Sequence, residues 1–274
     1  MVLADGKIKL SQKEVQGFVN LLQDSEDKVL TLMSEQIAKF DDTSLTAIQE
    51  YTNQLEDEQL EDNWYHVSKL NLTREIKDWK KKQDLEDGLF LIARLKNPGL
   101  EVKKYKAILN SYAERVSNKL TTSSSAHEII EAINTVLFKE EAFVGNQIDY
   151  YDLNNNFLHT VLEARTGNPI MISSVFMLIG SRLGLDIRGI GTPGHFIVQF
   201  EDTLYDPFFS GREVQKEECV LRAQELSVNW RDEYLEPIDD AFIVARSIRN
   251  LVAIYKKLNE LDKAADVSNL LKLV

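Results

Sequence analysis

Apolar residues recur at three- and four-residue spacing through the first third of the chain. Val15, Phe18, Val19 and Leu22 form one stripe, and Val29, Leu30, Met33, Ile37 and Phe40 form the next. That is the period of one helix face. The polar run at residues 22–27 separates the two and predicts a turn, with Asp24 or Ser25 capping the second helix. Leu45, Ile48, Tyr51 and Leu55, then Trp64, Val67 and Leu70, predict a second pair. A helix with a single apolar stripe is not stable alone. Stacked antiparallel pairs would bury these stripes as a short helical-repeat array, and a plain helical bundle would bury them equally well. The acidic run at 56–62 reads as an exposed turn. Lys77, Lys80, Lys81 and Lys82 around Trp79 read as a solvated helix face with a half-buried tryptophan.

Two further helices are predicted within 84–120, on Leu85, Leu89, Phe90, Ile92 and Ala93 and on Tyr105, Ile108, Leu109, Tyr112 and Val116. Asn97-Pro98-Gly99 ends the first, since proline cannot continue a helix and glycine suits its C-terminal cap. Ser125 and Glu128 have capping-box spacing and start a helix through Leu137. The character then changes. Gly145-Asn146 and Asn154-Asn155-Asn156 are turn and cap signals, and a helix at about 156–165 is expected to end at Gly167. Pro169 reads as the first residue of the next helix with Asn168 as its cap. Residues 170–183 are apolar on nearly every side, which marks a central, covered helix, and Gly184 stops it.

Strands follow. Residues 185–191 are short and rich in branched residues, Thr192-Pro193-Gly194 is a turn, and 195–200 alternates. Ile197 makes its second face partly apolar, so cover on both faces is expected. Glu201-Asp202 turns the chain into 203–206, where Pro207 ends the hairpin. Helices are predicted again at 213–226, 239–258 and 261–273. In the last two, Ile248, Leu251, Val252 and Tyr255 would face Ala264, Val267, Leu270 and Leu271, like one tetratricopeptide-type pair.

Composition narrows the functional classes. The 274 residues are 43% hydrophobic and 28% charged, an ordinary globular balance. No apolar run approaches the roughly 18 residues of a membrane span. Asp5, Lys7 and Lys9 near the start do not read as a secretory signal. Cys219 is the one cysteine, so no internal disulfide forms and a reducing cytoplasm is the natural setting. A net charge of −12 argues against nucleic acid, which would need a basic face. His66, His127 and His159 lack metal-ligand spacing, and the glycines of 184–194 make no phosphate-cradling motif. Neither a metal nor a cofactor is expected.

The chemistry lies where the central helix meets the hairpin. Its N-terminus near Pro169, His195 opening one strand, and Asp206 closing its partner can come together. In a cysteine-nucleophile enzyme a helix N-terminus lowers a thiol pKa and offers N–H groups to an oxyanion. A histidine takes the proton, and an aspartate orients that histidine.

These positions sit within a longer series: Phe143-Val144-Gly145-Asn146, Tyr150-Tyr151-Asp152, Asn156-Phe157-Leu158, Val161-Leu162, Arg165-Thr166-Gly167 and Pro169-Ile170. Arg182-Leu183-Gly184-Leu185, Pro193-Gly194-His195-Phe196 and Asp206-Pro207-Phe208 continue it. Over about residues 126–211 the series resembles the bacterial SirB-type transglutaminase-like family. The resemblance implies a papain-like α+β core with the order nucleophile helix, histidine strand, aspartate strand, flanked by helical segments. It also implies a Gly-x-Cys step opening the central helix, and here that slot falls at Pro169 or Ile170. Neither can be a nucleophile. Cys219 follows both partners in the chain and lies on another predicted helix. Ser173 and Ser174 sit about one turn too deep to benefit from the helix N-terminus.

The expected fold is α+β and predominantly helical, with a papain/transglutaminase-like core of a central buried helix and a small antiparallel sheet. The expected division is a helical segment at 1–83, a transglutaminase-like domain at 84–236 and a C-terminal helix pair at 237–274. The expected function is a non-catalytic binding or interaction module. Its partner would be a protein or peptide, with no nucleic acid and no membrane involved. His195 and Asp206 would be a relict pair, and Asn146, Asn168, Pro169 and Gly194 binding positions around it. The alternative is a hydrolase or acyltransferase that uses His195 and Asp206 with an atypical nucleophile.

Overall fold

A computed structural model of the chain describes residues 1–4, 6–23 and 26–274. The expected cap at Asp24 or Ser25 lies outside the described residues. The chain forms two compact units, Met1–Val102 with Lys272–Val274, and Lys103–Leu271.

The first unit is helical: α1 (Gln12–Gln23), α2 (Asp27–Ile37), α3 (Asp42–Gln54), α4 (Glu58–Trp79) and α5 (Leu85–Ala93). Most positions of the stripes read from the sequence pack together, with Val19, Leu22, Ile37, Ile48 and Val67 essentially inaccessible, whereas Val29 and Leu55 stand exposed. The acidic run departs from expectation. Glu58 and Glu61 belong to the first turn of α4, which Asp57 caps by accepting from the Leu60 N–H. Negative charge there complements the helix dipole, so the run starts a helix instead of forming a turn. Trp79 is buried, not half-buried, and its indole N–H donates to the Asp84 carbonyl at 2.7 Å.

The second unit is the α+β core. It begins with α6 (Val102–Ser117) and α7 (Ala126–Asn134), the latter opened by the Ser125–Glu128 capping box. A π-helix, Thr135–Glu140, follows directly. Then come β1 (Val144–Gly145), a 3-10 turn (Leu153–Asn156), α8 (Leu158–Ala164), β2 (Thr166–Gly167) and the central helix α9 (Pro169–Arg182). The expected helix at 156–165 is shorter because Arg165 turns left-handed at φ 55°. Residues 166–167 form the β2 strand instead, parallel to β1. Two-residue strands carry no readable period, so the sequence could not announce them.

Every α9 residue from Pro169 to Gly180 is buried, as its all-round apolar surface requires. One face of a four-stranded antiparallel sheet packs on it. The strands run in sequence order: β3 (Ile187–Ile190), β4 (Ile197–Phe200), β5 (Thr203–Asp206) and β6 (Arg212–Val214). The register pairs Ile190 with Ile197, Val198 with Tyr205 and Asp206 with Arg212. The face carrying Ile190, Ile197 and Val214 is covered by Cys219 of α10 (Lys216–Glu225), with Trp230 and Leu235. Residues 213–214 were expected to open a helix. They belong to β6, because pairing with Leu204 and Tyr205 satisfies their main chain before α10 begins. Helices α11 (Asp240–Lys257) and α12 (Leu261–Leu270) pack against each other and end the unit.

Candidate functional site

The N-terminus of α9 is built from asparagines. Asn168 Oδ1 accepts from the Met171 N–H at 2.9 Å, and Pro169 fills the first turn, where a missing N–H costs nothing. Asn168 Nδ2 donates to Asn156 Oδ1 at 2.6 Å, and its N–H donates to the Asn155 carbonyl at 3.3 Å. Asn155 in turn donates to the Asp149 carbonyl at 2.8 Å and accepts from Asn146 Nδ2 at 3.1 Å. The Asn146 N–H closes the β1–β2 ladder on the Gly167 carbonyl at 2.9 Å. The 3-10 turn and the short strands exist in this arrangement because neutral amides supply both donors and acceptors to a buried backbone. A cavity of about 60 Å³ opens here. Tyr150, Tyr151, Asn156 and Asn168 line one side, and Asn250, Ala253 and Ile254 of α11 the other. It has room for about two waters.

His195 and Asp206 do meet. His195 Nε2 lies 2.8 Å from Asp206 Oδ2, and the side chains are 6% and 1% exposed. Asp206 closes β5, as read from the sequence. His195, however, precedes β4 by two residues, in the turn that Gly194 makes at φ +68°. The ring is held on edge by Phe208 at 5.8 Å and tilted against Phe209 at 6.0 Å. With Nε2 engaged by the carboxylate, Nδ1 is the ring nitrogen left to act on a ligand. Phe208 joins this pair to the α9 end. It touches Tyr150 at 6.4 Å, and a Cβ on Gly145 would fall 2.4 Å from its ring.

The first turn of α9 presents Pro169 and Ile170, both buried. Ser173 donates to the Phe196 carbonyl at 3.4 Å, and Ser174 Oγ has no partner; both side chains are fully enclosed. Cys219 packs among Ile190, Ile197 and Val214, and burial pushes its thiol pKa up. Among the described residues no group of three or more His, Cys, Asp or Glu could hold a metal ion, and no helix is long and apolar enough to cross a membrane.

One residue escaped the sequence reading. Arg246 Nη2 donates to the carbonyls of His195 at 2.6 Å and Thr192 at 3.1 Å, and its guanidinium lies over the Phe196 ring. The available signal was an arginine at the edge of the stripe formed by Ile243, Ser247 and Leu251. Nothing in the sequence said what that edge would meet.

A buried, asparagine-capped helix against an antiparallel sheet, with a histidine–aspartate pair at one end of the two central strands, defines a transglutaminase-like core. The profile of the transglutaminase-like superfamily matches residues 103–249, and the chain belongs to that family. Among its relatives, a UPF0162 protein of Xylella fastidiosa is 33% identical over 195 residues, 67% of this chain and 69% of that protein. A UPF0162 protein of Vibrio cholerae is 23% identical over 184 residues, 65% of this chain and 67% of its own. F-box only protein 21 of Mus musculus is 31% identical over 104 residues, 34% of this chain and 17% of its own. No solved structure matches the chain.

Proposed function

We propose that this chain is a SirB-type member of the superfamily that has kept the site architecture and lost the nucleophile, and that it works as a binding module. One observation carries the reading. The first turn of the central helix, where the family's reactive thiol would stand, holds Pro169 and Ile170. A proline has no N–H to give to an oxyanion, and neither side chain can attack a carbonyl. The buried serines and Cys219 support the same reading, since none is exposed to a substrate. His195, Asp206 and the asparagine-lined cavity then serve recognition. A protein or peptide segment is the ligand class, held on the exposed rings of Tyr150 and Tyr151 at the cavity rim.

The intact His195–Asp206 geometry favours a second reading, a hydrolase or acyltransferase with an unusual nucleophile. Thiol- and serine-reactive probes at neutral pH separate the two. Labelling of Ser173, Ser174 or Cys219 that disappears in His195→Ala would establish the enzyme and remove the module reading. The module reading expects no such labelling. It also expects displayed peptides that bind the wild-type chain and are lost on Tyr151→Ala, a residue 54% exposed.

A further inference from the structure

A cavity of about 400 Å³ lies between α4 and α5, in the first unit and outside the residues 103–249 that the family profile matches. Glu75 and Trp79 stand one turn apart on α4, and Phe90 and Leu91 one turn before Arg94 at the end of α5, so one face of each helix forms the wall. Val102 adds to the apolar part of it. Trp79 and Phe90 are buried, and the Trp79 indole N–H is already spent on the Asp84 carbonyl at 2.7 Å. What these rings offer the cavity is apolar surface. The volume falls within the range of about 300–1,000 Å³ that small-molecule sites occupy.

Arg94 supplies the polar end. Its Nη1 donates to both oxygens of Glu75, at 2.8 and 3.0 Å, and its Nη2 to Asp42 Oδ1 at 3.3 Å. These carboxylates fix the plane of the guanidinium. Its Nε–H is buried and has no acceptor among the described residues. Native interiors seldom leave a buried donor in that state, because it forfeits its bond to water and gains none in return. The charge count says what kind of acceptor is wanted. Two carboxylates already face one guanidinium, so a third anion would meet net negative charge, and a neutral oxygen would not.

We propose that the α4–α5 cavity binds a small, neutral, apolar molecule whose carbonyl oxygen accepts from Arg94 Nε–H. The apolar body of that molecule lies on Trp79, Phe90, Leu91 and Val102. A ketone, ester or amide oxygen meets the requirement; a carboxylate does not. This site does not rest on any reading of the His195–Asp206 pair.

The test uses the full chain, labelled with ¹⁵N, and follows the Trp79 indole N–H and the Arg94 Nε–H signals. Three probes are titrated separately: acetophenone, ethylbenzene, which has nearly its shape without the oxygen, and benzoate. Acetophenone should shift both signals saturably and bind about fivefold tighter than ethylbenzene, the worth of one ordinary hydrogen bond. Benzoate should bind more weakly than acetophenone. Leu91→Trp, which fills the cavity from a half-buried position, should abolish binding of all three. Arg94→Lys keeps a positive charge beside Glu75 and Asp42 but has no Nε–H. It should lower acetophenone to the affinity of ethylbenzene and leave ethylbenzene unchanged, which shows the cavity intact. If it loses ethylbenzene as well, the wild-type preference and the Nε–H shift decide the contact. Shifts that do not saturate, or binding that survives Leu91→Trp, overturn the site. Equal wild-type affinities for acetophenone and ethylbenzene, or an Nε–H signal that acetophenone leaves unmoved, overturn the carbonyl contact. Benzoate binding tighter than acetophenone overturns the neutral class.

Discussion

Replacing Asn168 with alanine removes one side chain that does two jobs. Its Oδ1 caps α9 on the Met171 N–H, and its Nδ2 supplies Asn156 Oδ1, an acceptor on a residue 1% exposed. Loss of the cap costs about 1 kcal/mol. Stranding a buried acceptor adds about 1–3 kcal/mol, so a total near 3 kcal/mol is expected. Asn168→Ser keeps a capping oxygen and loses the amide donor, so it should recover roughly the cap's 1 kcal/mol and no more. Trp64 and Trp79 belong to the first unit and Trp230 to the second. Urea unfolding followed by Trp230 emission in a Trp64→Phe/Trp79→Phe background therefore reads the unit that holds α9. The midpoint should fall with little change in slope. An Asn168→Ala loss of about 1 kcal/mol or less, equal to a cap alone, would refute the idea that the buried amide pair holds the site together.

Gly145→Ala would place a Cβ 2.4 Å from the Phe208 ring and 2.5 Å from its carbonyl. Overpacking of this kind costs about 1–3 kcal/mol, and because Phe208 supports His195 the His195 NMR signal should move with it; an unmoved signal counts against that support. Burial opposes ionisation of Glu141, but hydrogen bonds from Arg115 and Arg165 outweigh it and hold the carboxyl below its ordinary 4.5. Its contribution is full above that value and is lost as pH falls through the lowered folded value. Wild type should lose stability on acidification more steeply than Glu141→Gln, and parallel acid profiles would contradict this. Cys219 should react with a neutral-pH thiol reagent only as fast as its part of the fold opens, because burial keeps the thiol protonated and enclosed. Labelling at the rate of a free thiol would place it outside the core.

The elements that local chemistry alone determines were legible in the chain. The periodic stripes of α1 to α6 and the capping box at Ser125 belong to this class. So does the Asn168-Pro169 start of α9, whose all-round apolar surface foretold a central helix. Motif order likewise placed His195 and Asp206 as a pair, since a hairpin of four-residue strands brings its two ends together. What the sequence did not carry is everything that depends on a partner distant in the chain. The β1–β2 ladder joins residues 144–145 to 166–167, strands too short to have a period. The amide network works only because Asn146, Asn155, Asn156 and Asn168 converge from separate turns, and each amide alone reads as a generic cap. Arg246 reads as a helix-edge cation until α11 packs its guanidinium against the carbonyls of Thr192 and His195. Periodicity and capping are properties of neighbouring residues, so the chain states them directly. A buried polar group's meaning is set by what it is desolvated against, and only the tertiary structure decides that.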